Sequence, residues 1–125
     1  MREIKFRAKD VFTSKWVYGD LVHNKKVTKT GLENRIMVGG YEVSTETICQ
    51  YTGLQDMKGN PIYEGDILRV HYGKSSKGEE IYFDKPVIWH DKFASFLLKE
   101  DYNSYSPIPV EYSEVVGDGF NDDKL

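Results

Sequence analysis

Apolar and polar residues alternate along the start of the chain. In residues 2–10, Ile4, Phe6 and Ala8 occupy every second position, and basic residues stand between them. A period of two residues predicts a β-strand with one buried face and one face in water. Residues 15–23 continue this pattern, so the two segments together predict an antiparallel pair of strands.

The rest of the pattern predicts several more short strands separated by turn residues. Residues 24–34 are mostly polar and predict a loop. Gly39 and Gly40 stand between two apolar runs and predict a tight hairpin, because both can adopt positive φ without penalty. Apolar and aromatic residues then concentrate in four segments that we expect to be strands: 66–72, 81–91, 92–100 and 110–117.

No segment shows a sustained helical period over about ten residues. Many short strands with regular turn signals are typical of a β-sandwich or a small β-barrel. The chain is therefore predicted to be mostly β, with few or no helices. The acidic tail, residues 118–125, is predicted to fray.

Charge is divided unevenly along the chain. Residues 1–35 contain nine Lys and Arg against four Asp and Glu, which gives +5, whereas residues 36–125 contain eight against sixteen, which gives −8. Such a basic segment can meet phosphate, or it can meet the acidic part of its own chain or of another copy. We favour the self-complementary interpretation because the basic residues are scattered. Open sheets with unpaired edges also favour a homo-oligomer.

Nucleic-acid binding is the alternative interpretation of the basic segment. It would use exposed aromatic side chains beside basic ones. The candidate contact residues are Arg7, Lys9, Lys15, Trp16, Lys25 and Lys26.

Cys49 is the single cysteine, so no disulfide can form within the chain. This favours a reducing, cytoplasmic setting, with Cys49 as a buried thiol. No apolar run approaches the roughly 18 residues that a membrane span requires. The first residues also lack the apolar core of a signal peptide. We therefore expect a cytoplasmic protein that does not enter the membrane.

The residue types that carry catalysis are present but not in catalytic patterns. The three histidines have no second ligand at metal-binding spacing, so no metal or cofactor is predicted. Glu64 and Asp66 share a face of an extended chain, and with His90 they define a candidate hydrolase site. No nucleophile is identifiable near His90. We therefore expect no catalytic residues and no enzyme activity.

Residues 51–70, YTGLQDMKGNPIYEGDILRV, crowd glycine, proline and acidic residues between two apolar runs. We interpret the segment as a structural joint between two lobes. Residues 56–60 are predicted to form a turn in which Gly59 adopts positive φ, and Ile62 and Tyr63 are predicted to anchor it in the core. The residues assigned to the joint are Gly53, Asp56, Gly59, Pro61, Tyr63, Gly65 and Asp66.

Four segments together resemble the YopX-type phage protein family: REIKFRAKD at 2–10, VYGDL at 17–21, ICQYTGLQDMKGNPIYEGDILRV at 48–70 and EVVGDGF at 114–120. The central block is long and specific, and the resemblance spans nearly the whole chain. The chain departs from the family pattern at Lys9, where Trp is usual, and at Gly119 and Phe120 near the end.

The resemblance implies a protein encoded by a phage or prophage, whose family has no established molecular role and no defined catalytic residues. It also implies an antiparallel β lobe over residues 1–53 followed by an SH3-like small β-barrel over 54–125, or one continuous domain of this type. We expect a non-enzymatic binding or assembly module. The sequence does not identify a host or phage protein partner.

Overall fold

The computed structural model describes residues 2–120. The chain divides into two compact units, Met1–Tyr51 and Thr52–Leu125, and each is described by itself. All strand pairs in the described residues are antiparallel, and the only helical segments there are two 3-10 turns, Thr45–Thr47 and Val110–Tyr112. The prediction of a mostly β protein is therefore confirmed. Over the same residues, no helix has the length and apolar character to cross a membrane.

The first unit is built from two small sheets. Its strands are β1 (Phe6–Lys9), β2 (Trp16–Gly19), β3 (Leu21–Thr28), β4 (Gly31–Val38), β5 (Tyr41–Glu42) and the start of β6 (Cys49–Gln55). In one sheet β1 lies between β2 and β6, and in the other β4 lies between β3 and β5. The β1–β2 pair confirms the antiparallel pair predicted near the start of the chain. The second predicted strand, residues 15–23, is however divided at Asp20 between β2 and β3, which lie in different sheets.

The predicted loop over residues 24–34 is wrong, because these residues form most of a long hairpin. The β3–β4 ladder runs without interruption from Leu21 opposite Val38 to Thr28 opposite Gly31. Backbone pairing needs no apolar side chains, and only the base of the hairpin reaches the core. Its outer part can therefore be mostly polar on both faces, which is why its sequence resembles a loop.

The core of the first unit forms where the base of this hairpin packs against β1. Ala8, Val38 and Val43 are buried. The side chains packed around them are Phe6, Val17, Leu21, Ile36 and Ile48. The predicted apolar face of β1 is thus confirmed at Phe6 and Ala8, whereas Ile4 precedes the strand and is exposed.

The opposite face of β1 differs from the prediction at Arg7. Its side chain was predicted to lie in water, but it is buried. The guanidinium lies over the indole ring of Trp16, 4.5 Å from the ring centroid. An arginine can be buried in this way because its planar, weakly hydrated head group stacks on aromatic rings.

The turn at Gly39 and Gly40 joins β4 to β5 as predicted. Their φ angles are +60° and +90°, and Val38 pairs with Tyr41 across the two-residue loop. Gly39 also lies against the end of β2, where its N–H donates to the Asp20 carbonyl at 3.1 Å. A Cβ on Gly39 would lie 2.2 Å from the Tyr18 carbonyl oxygen, whereas one on Gly40 would meet nothing within 4 Å.

The second unit contains a five-stranded antiparallel sheet. The strands of the second unit are the end of β6, β7 (Pro61–Tyr63), β8 (Asp66–Lys74), β9 (Glu80–His90), β10 (Ser95–Asp101), β11 (Ser104–Ser106) and β12 (Ser113–Asp118). The order of strands in the five-stranded sheet is β11-β10-β9-β8-β12, so β11 and β12 form its two edges. The sheet is open over the described residues, so the predicted SH3-like barrel is not confirmed.

One side of this sheet carries the core of the second unit. Its buried residues are Ile62, Leu68, Val70, Val87 and Leu98. Leu68 and Val70 alternate with exposed or half-buried residues along β8, as a strand with one buried face should. Residues 118–120 of the predicted frayed tail are held by a Gly119 N–H bond to the Gly65 carbonyl and a Phe120 N–H bond to Asp118. Residues 121–125 lie outside the described residues.

The turn at residues 56–60 is organised by the buried carboxylate of Asp56. Asp56 Oδ1 accepts hydrogen bonds from the Lys58 and Asn60 N–H groups, each at 2.9 Å. Oδ2 accepts from the Asn60 side chain at 3.2 Å and from the Val115 N–H at 2.8 Å. Gly59 has φ +83°, as predicted. One carboxylate therefore closes the turn and binds it to β12.

The same turn covers the outer edge of β12. Besides the bond from Val115, the Met57 N–H donates to the Ser113 carbonyl at 3.0 Å. Edge strands otherwise present unpaired backbone groups to solvent. Burial raises the pKa of Asp56, but the hydrogen bonds from Val115 and Asn60 outweigh it and hold that pKa below its ordinary value.

Replacing Asp56 with Asn is expected to lower the free energy of unfolding by roughly 1–3 kcal/mol at neutral pH. The amide of Asn accepts hydrogen bonds only at its oxygen. Its NH₂ group would face N–H groups that now donate to the second carboxylate oxygen of Asp56. Urea denaturation measures the loss. Glu114→Gln is the control, because it removes an exposed ion pair with Lys58 and should lower the free energy of unfolding much less than Asp56→Asn does.

The Asp56 effect should also depend on pH. Because the folded pKa is lowered, the stabilisation is complete above the pKa of an unfolded Asp, about 3.9, and is lost as pH falls through the folded value. The difference in unfolding free energy between wild type and Asp56→Asn should be constant at neutral pH and shrink below about pH 4. An unchanged difference in acid would contradict this account.

Gly39→Ala is expected to destabilise the protein more than Gly40→Ala. Both substitutions place Ala at positive φ, which costs roughly 1 kcal/mol. Only Gly39→Ala also forces the Tyr18 carbonyl away, because the new Cβ would overlap that oxygen. Thermal unfolding of the matched pair separates the two effects, and equal melting temperatures would refute the close approach.

Candidate binding surfaces

Asp66 and His90, two of the three candidate hydrolase residues, are not brought together. Asp66 is buried, and its Oδ2 accepts a hydrogen bond from the Tyr63 N–H at 2.7 Å. It lies beside Val87 of β9, since Gly65 N–H donates to the Val87 carbonyl, and His90 is three residues further along, roughly 10 Å away. Glu64 is half-buried in the turn before β8.

His90 is surrounded by rings. It stacks on Phe93 with centroids 4.6 Å apart and meets the edge of Tyr105 at 4.5 Å. Within residues 2–120, no cluster of His, Cys, Asp and Glu has the arrangement needed to hold a metal ion.

The residues assigned to the joint all lie in the second unit, whose first residue is Thr52. Gly53, Gly59 and Gly65 have positive φ. Tyr63 and Asp66 are buried, and Pro61 begins β7. These positions describe two consecutive turns around β7. Their role as a joint between lobes stays a prediction.

The candidate nucleic-acid contacts do not form one surface. Arg7 and Lys9 lie opposite Tyr18 and Trp16, so these four share a face of the β1–β2 pair. Lys9 Nζ lies 5.4 Å from the centroid of the Trp16 ring that Arg7 also covers. The indole is half-buried between these cations, and Lys15 is exposed just before β2.

Lys25 and Lys26 lie on the hairpin and face opposite ways, because neighbouring residues of a strand alternate. Lys26 Nζ is 3.0 Å from Oε1 of Glu42. Its charge is therefore already paired within the first unit. Of the six candidates, Lys15 and Lys25 are exposed, and they lie on different sheets.

The β3–β4 hairpin, here called the ribbon, has a face that continues outward from the core. By strand register, this ribbon face consists of His23, Lys25, Val27, Leu32, Asn34 and Ile36. A groove of about 510 Å³ lies at its base, lined by His23, Asn24, Lys25, Asn34, Arg35, Ile36 and Thr45. The lining contains the basic residues His23, Lys25 and Arg35 and no carboxylate.

The tip of the ribbon face is apolar. Val27 and Leu32 lie directly opposite each other, and they are 83% and 66% exposed. They are the two large apolar residues within the polar stretch 24–34, placed symmetrically about the turn at 28–31. That symmetry is the sequence signal that identifies the hairpin.

The second unit has a groove on the side of its sheet away from the core, here called the tyrosine groove. Its volume is about 260 Å³, and it is lined by Met57, Lys58, Arg69, His71, Tyr82, Glu111, Tyr112 and Glu114. Met57, Tyr82 and Tyr112 are each more than half exposed. The sequence patterns did not predict this groove, because its residues come from four distant segments.

Most charges of the tyrosine groove are paired within the second unit. Lys58 contacts Glu114 at 2.6 Å, and Arg69 contacts Asp84 at 2.9 Å. His71 contacts Glu80 and packs against the Tyr82 ring. Glu111 is exposed at the rim. The groove therefore presents apolar and aromatic surface whose charges are mostly paired, with the Glu111 carboxylate exposed at its rim.

Comparison with known proteins gives a family and a fold. The family model described as YopX protein matches residues 5–125. No curated protein matches the chain. The crystal structure of protein EF1440 from Enterococcus faecalis is similar, with 20% sequence identity, a TM-score of 0.53 and 94% coverage of each chain. The chain thus shares its fold with that protein, and it belongs to the YopX protein family.

Proposed function

We propose that this protein is a non-enzymatic binding module that acts by associating with further copies of itself. The observation that carries the proposal is the opposite charge of its two units. Residues 1–51 contain nine Lys and Arg against six Asp and Glu, which gives +3, and residues 52–125 contain eight against fourteen, which gives −6. The two sums give the net charge of −3.

Opposite charges on two parts of a chain favour association in which unlike parts of different copies meet. Such complementarity steers encounter and selects the orientation of binding, and it weakens as salt shortens the range of the field. The contacts of Asp66 with the Tyr63 N–H and of His90 with two rings support a structural role for these residues and a protein that is not an enzyme.

Membership of the YopX family supports the cellular setting that we propose for this function. We infer a phage or prophage accessory protein that works in the cytoplasm of a bacterial host, with a host or phage protein as a further partner. The finer hypothesis of an SH3-like second unit rests on the resemblance to that family.

Sedimentation velocity tests self-association. We expect the weight-average sedimentation coefficient to rise across micromolar concentrations at low ionic strength and to rise less at about 1 M salt, where the screening length is roughly 3 Å. A monomer at every concentration would refute the proposal.

Nucleic-acid binding is the second candidate function, supported by the cation and indole cluster of Lys9, Arg7 and Trp16. Because the acidic second unit repels phosphate, we expect weak binding that disappears at physiological salt. Fluorescence anisotropy with duplex and single-stranded DNA measures it. Tight binding that Lys9→Gln abolishes would instead make this the primary function.

A further inference from the structure

We propose that the ribbon of one copy inserts its apolar tip into the tyrosine groove of a second copy. This inference rests on the proposed self-association and names the two surfaces that carry it. Each copy has one ribbon and one groove, so each can donate one contact and accept another. The contact is heterologous, joining two different surfaces.

The ribbon has the properties of an inserting element. Val27 and Leu32 form a directly opposed apolar pair that is largely exposed. Residues 21–38 contain four Lys and Arg against one Glu, which gives +3. Lys25 and Lys29 are exposed next to the apolar pair. An uninterrupted two-stranded ladder holds these side chains in place before binding, so little ordering cost is paid on association.

The tyrosine groove has the properties of a receiving surface. Met57, Tyr82 and Tyr112 offer exposed side chains of the kinds enriched in protein interfaces. Its volume of about 260 Å³ suits a small number of aliphatic side chains rather than a whole strand. The groove is built on paired strands and on the turn held by Asp56, so it too exists before binding.

The charges of the two surfaces are complementary. In and around the groove, four carboxylates (Glu80, Asp84, Glu111 and Glu114) stand against three cations (Lys58, Arg69 and Lys74), an excess of one negative charge. Exposed Glu111 can pair with Lys25 or Lys29 at the ribbon tip. The partner is therefore a second copy, since each chain carries both the basic apolar tip and the acidic aromatic groove.

Two variants and two matched controls test the contact. Val27→Ser damages the tip, and Val22→Ser is its control, because Val22 is an exposed residue of β3 on the opposite face. Tyr112→Ser damages the groove, and Tyr102→Ser is its control, because Tyr102 is 83% exposed outside the groove. All four positions are exposed, so the variants should fold, which circular dichroism checks.

We expect Val27→Ser and Tyr112→Ser each to weaken self-association at least about tenfold in sedimentation velocity, and the controls to match wild type. The decisive sample is an equimolar mixture of the two damaged variants. The intact groove of Val27→Ser can receive the intact ribbon of Tyr112→Ser, so the mixture should form a complex that neither variant forms alone.

The possible failures are distinguishable. Association of the wild type that survives both substitutions overturns the ribbon and groove contact but leaves the proposed function standing. Loss of association in both variants with no complex in their mixture also overturns it, because an intact ribbon would then have failed to bind an intact groove. A monomeric wild type overturns both proposals.

Discussion

The carboxylate of Asp56 accepts four hydrogen bonds, three from its own turn and one from β12. A buried carboxylate is costly unless such donors surround it. Here three donors lie in the turn and the fourth is the Val115 N–H, so all four hydrogen bonds form only when the turn has docked on β12. The edge of β12 and the tyrosine groove both depend on this contact, because the turn covers that edge and supplies Met57 to the groove.

The first unit is stabilised differently from the second. Its core is small, and it consists mainly of Ala8, Val38 and Val43 with partly buried neighbours. The ribbon base contributes to this core, while the rest of the ribbon is held by backbone pairing and by polar side-chain contacts such as the Lys26–Glu42 ion pair. Because the outer ribbon lies outside the core, it can carry lysines, amides and an exposed apolar pair. The surface most available to a partner thus arises where the core ends.

Local patterns predicted the strands whose residues alternate between core and solvent. The apolar positions of β1, the Gly39–Gly40 turn, the turn at 56–60 and the main strands of the second unit follow from period-two alternation and from glycine placement. The sequence pattern did not predict the ribbon because, apart from Val27 and Leu32, its outer part is polar on both faces. The burial of Arg7 was missed because it depends on Trp16, which the strand pairing places beside it.

The ribbon tip and the tyrosine groove also differ in how far the sequence predicts them. Val27 and Leu32 stand out in the sequence once the hairpin is known, since they are symmetric about its turn. The tyrosine groove has no such signal, because Met57, Arg69, Tyr82 and Tyr112 lie on separate elements that the sheet order brings together.

The sequence by itself determined the mostly β character, the turns at residues 39–40 and 56–60, the uneven charge and the resemblance to the YopX family. These properties depend on neighbouring residues, or on residues in a fixed local order, and can be recognised without knowing where the chain goes. Tertiary structure alone decided the open sheet, the burial of Arg7, the docking of Asp56 on β12 and the assembly of the tyrosine groove. Each of these depends on which distant segments pair, and pairing is decided by the joint burial and hydrogen bonding of the whole chain.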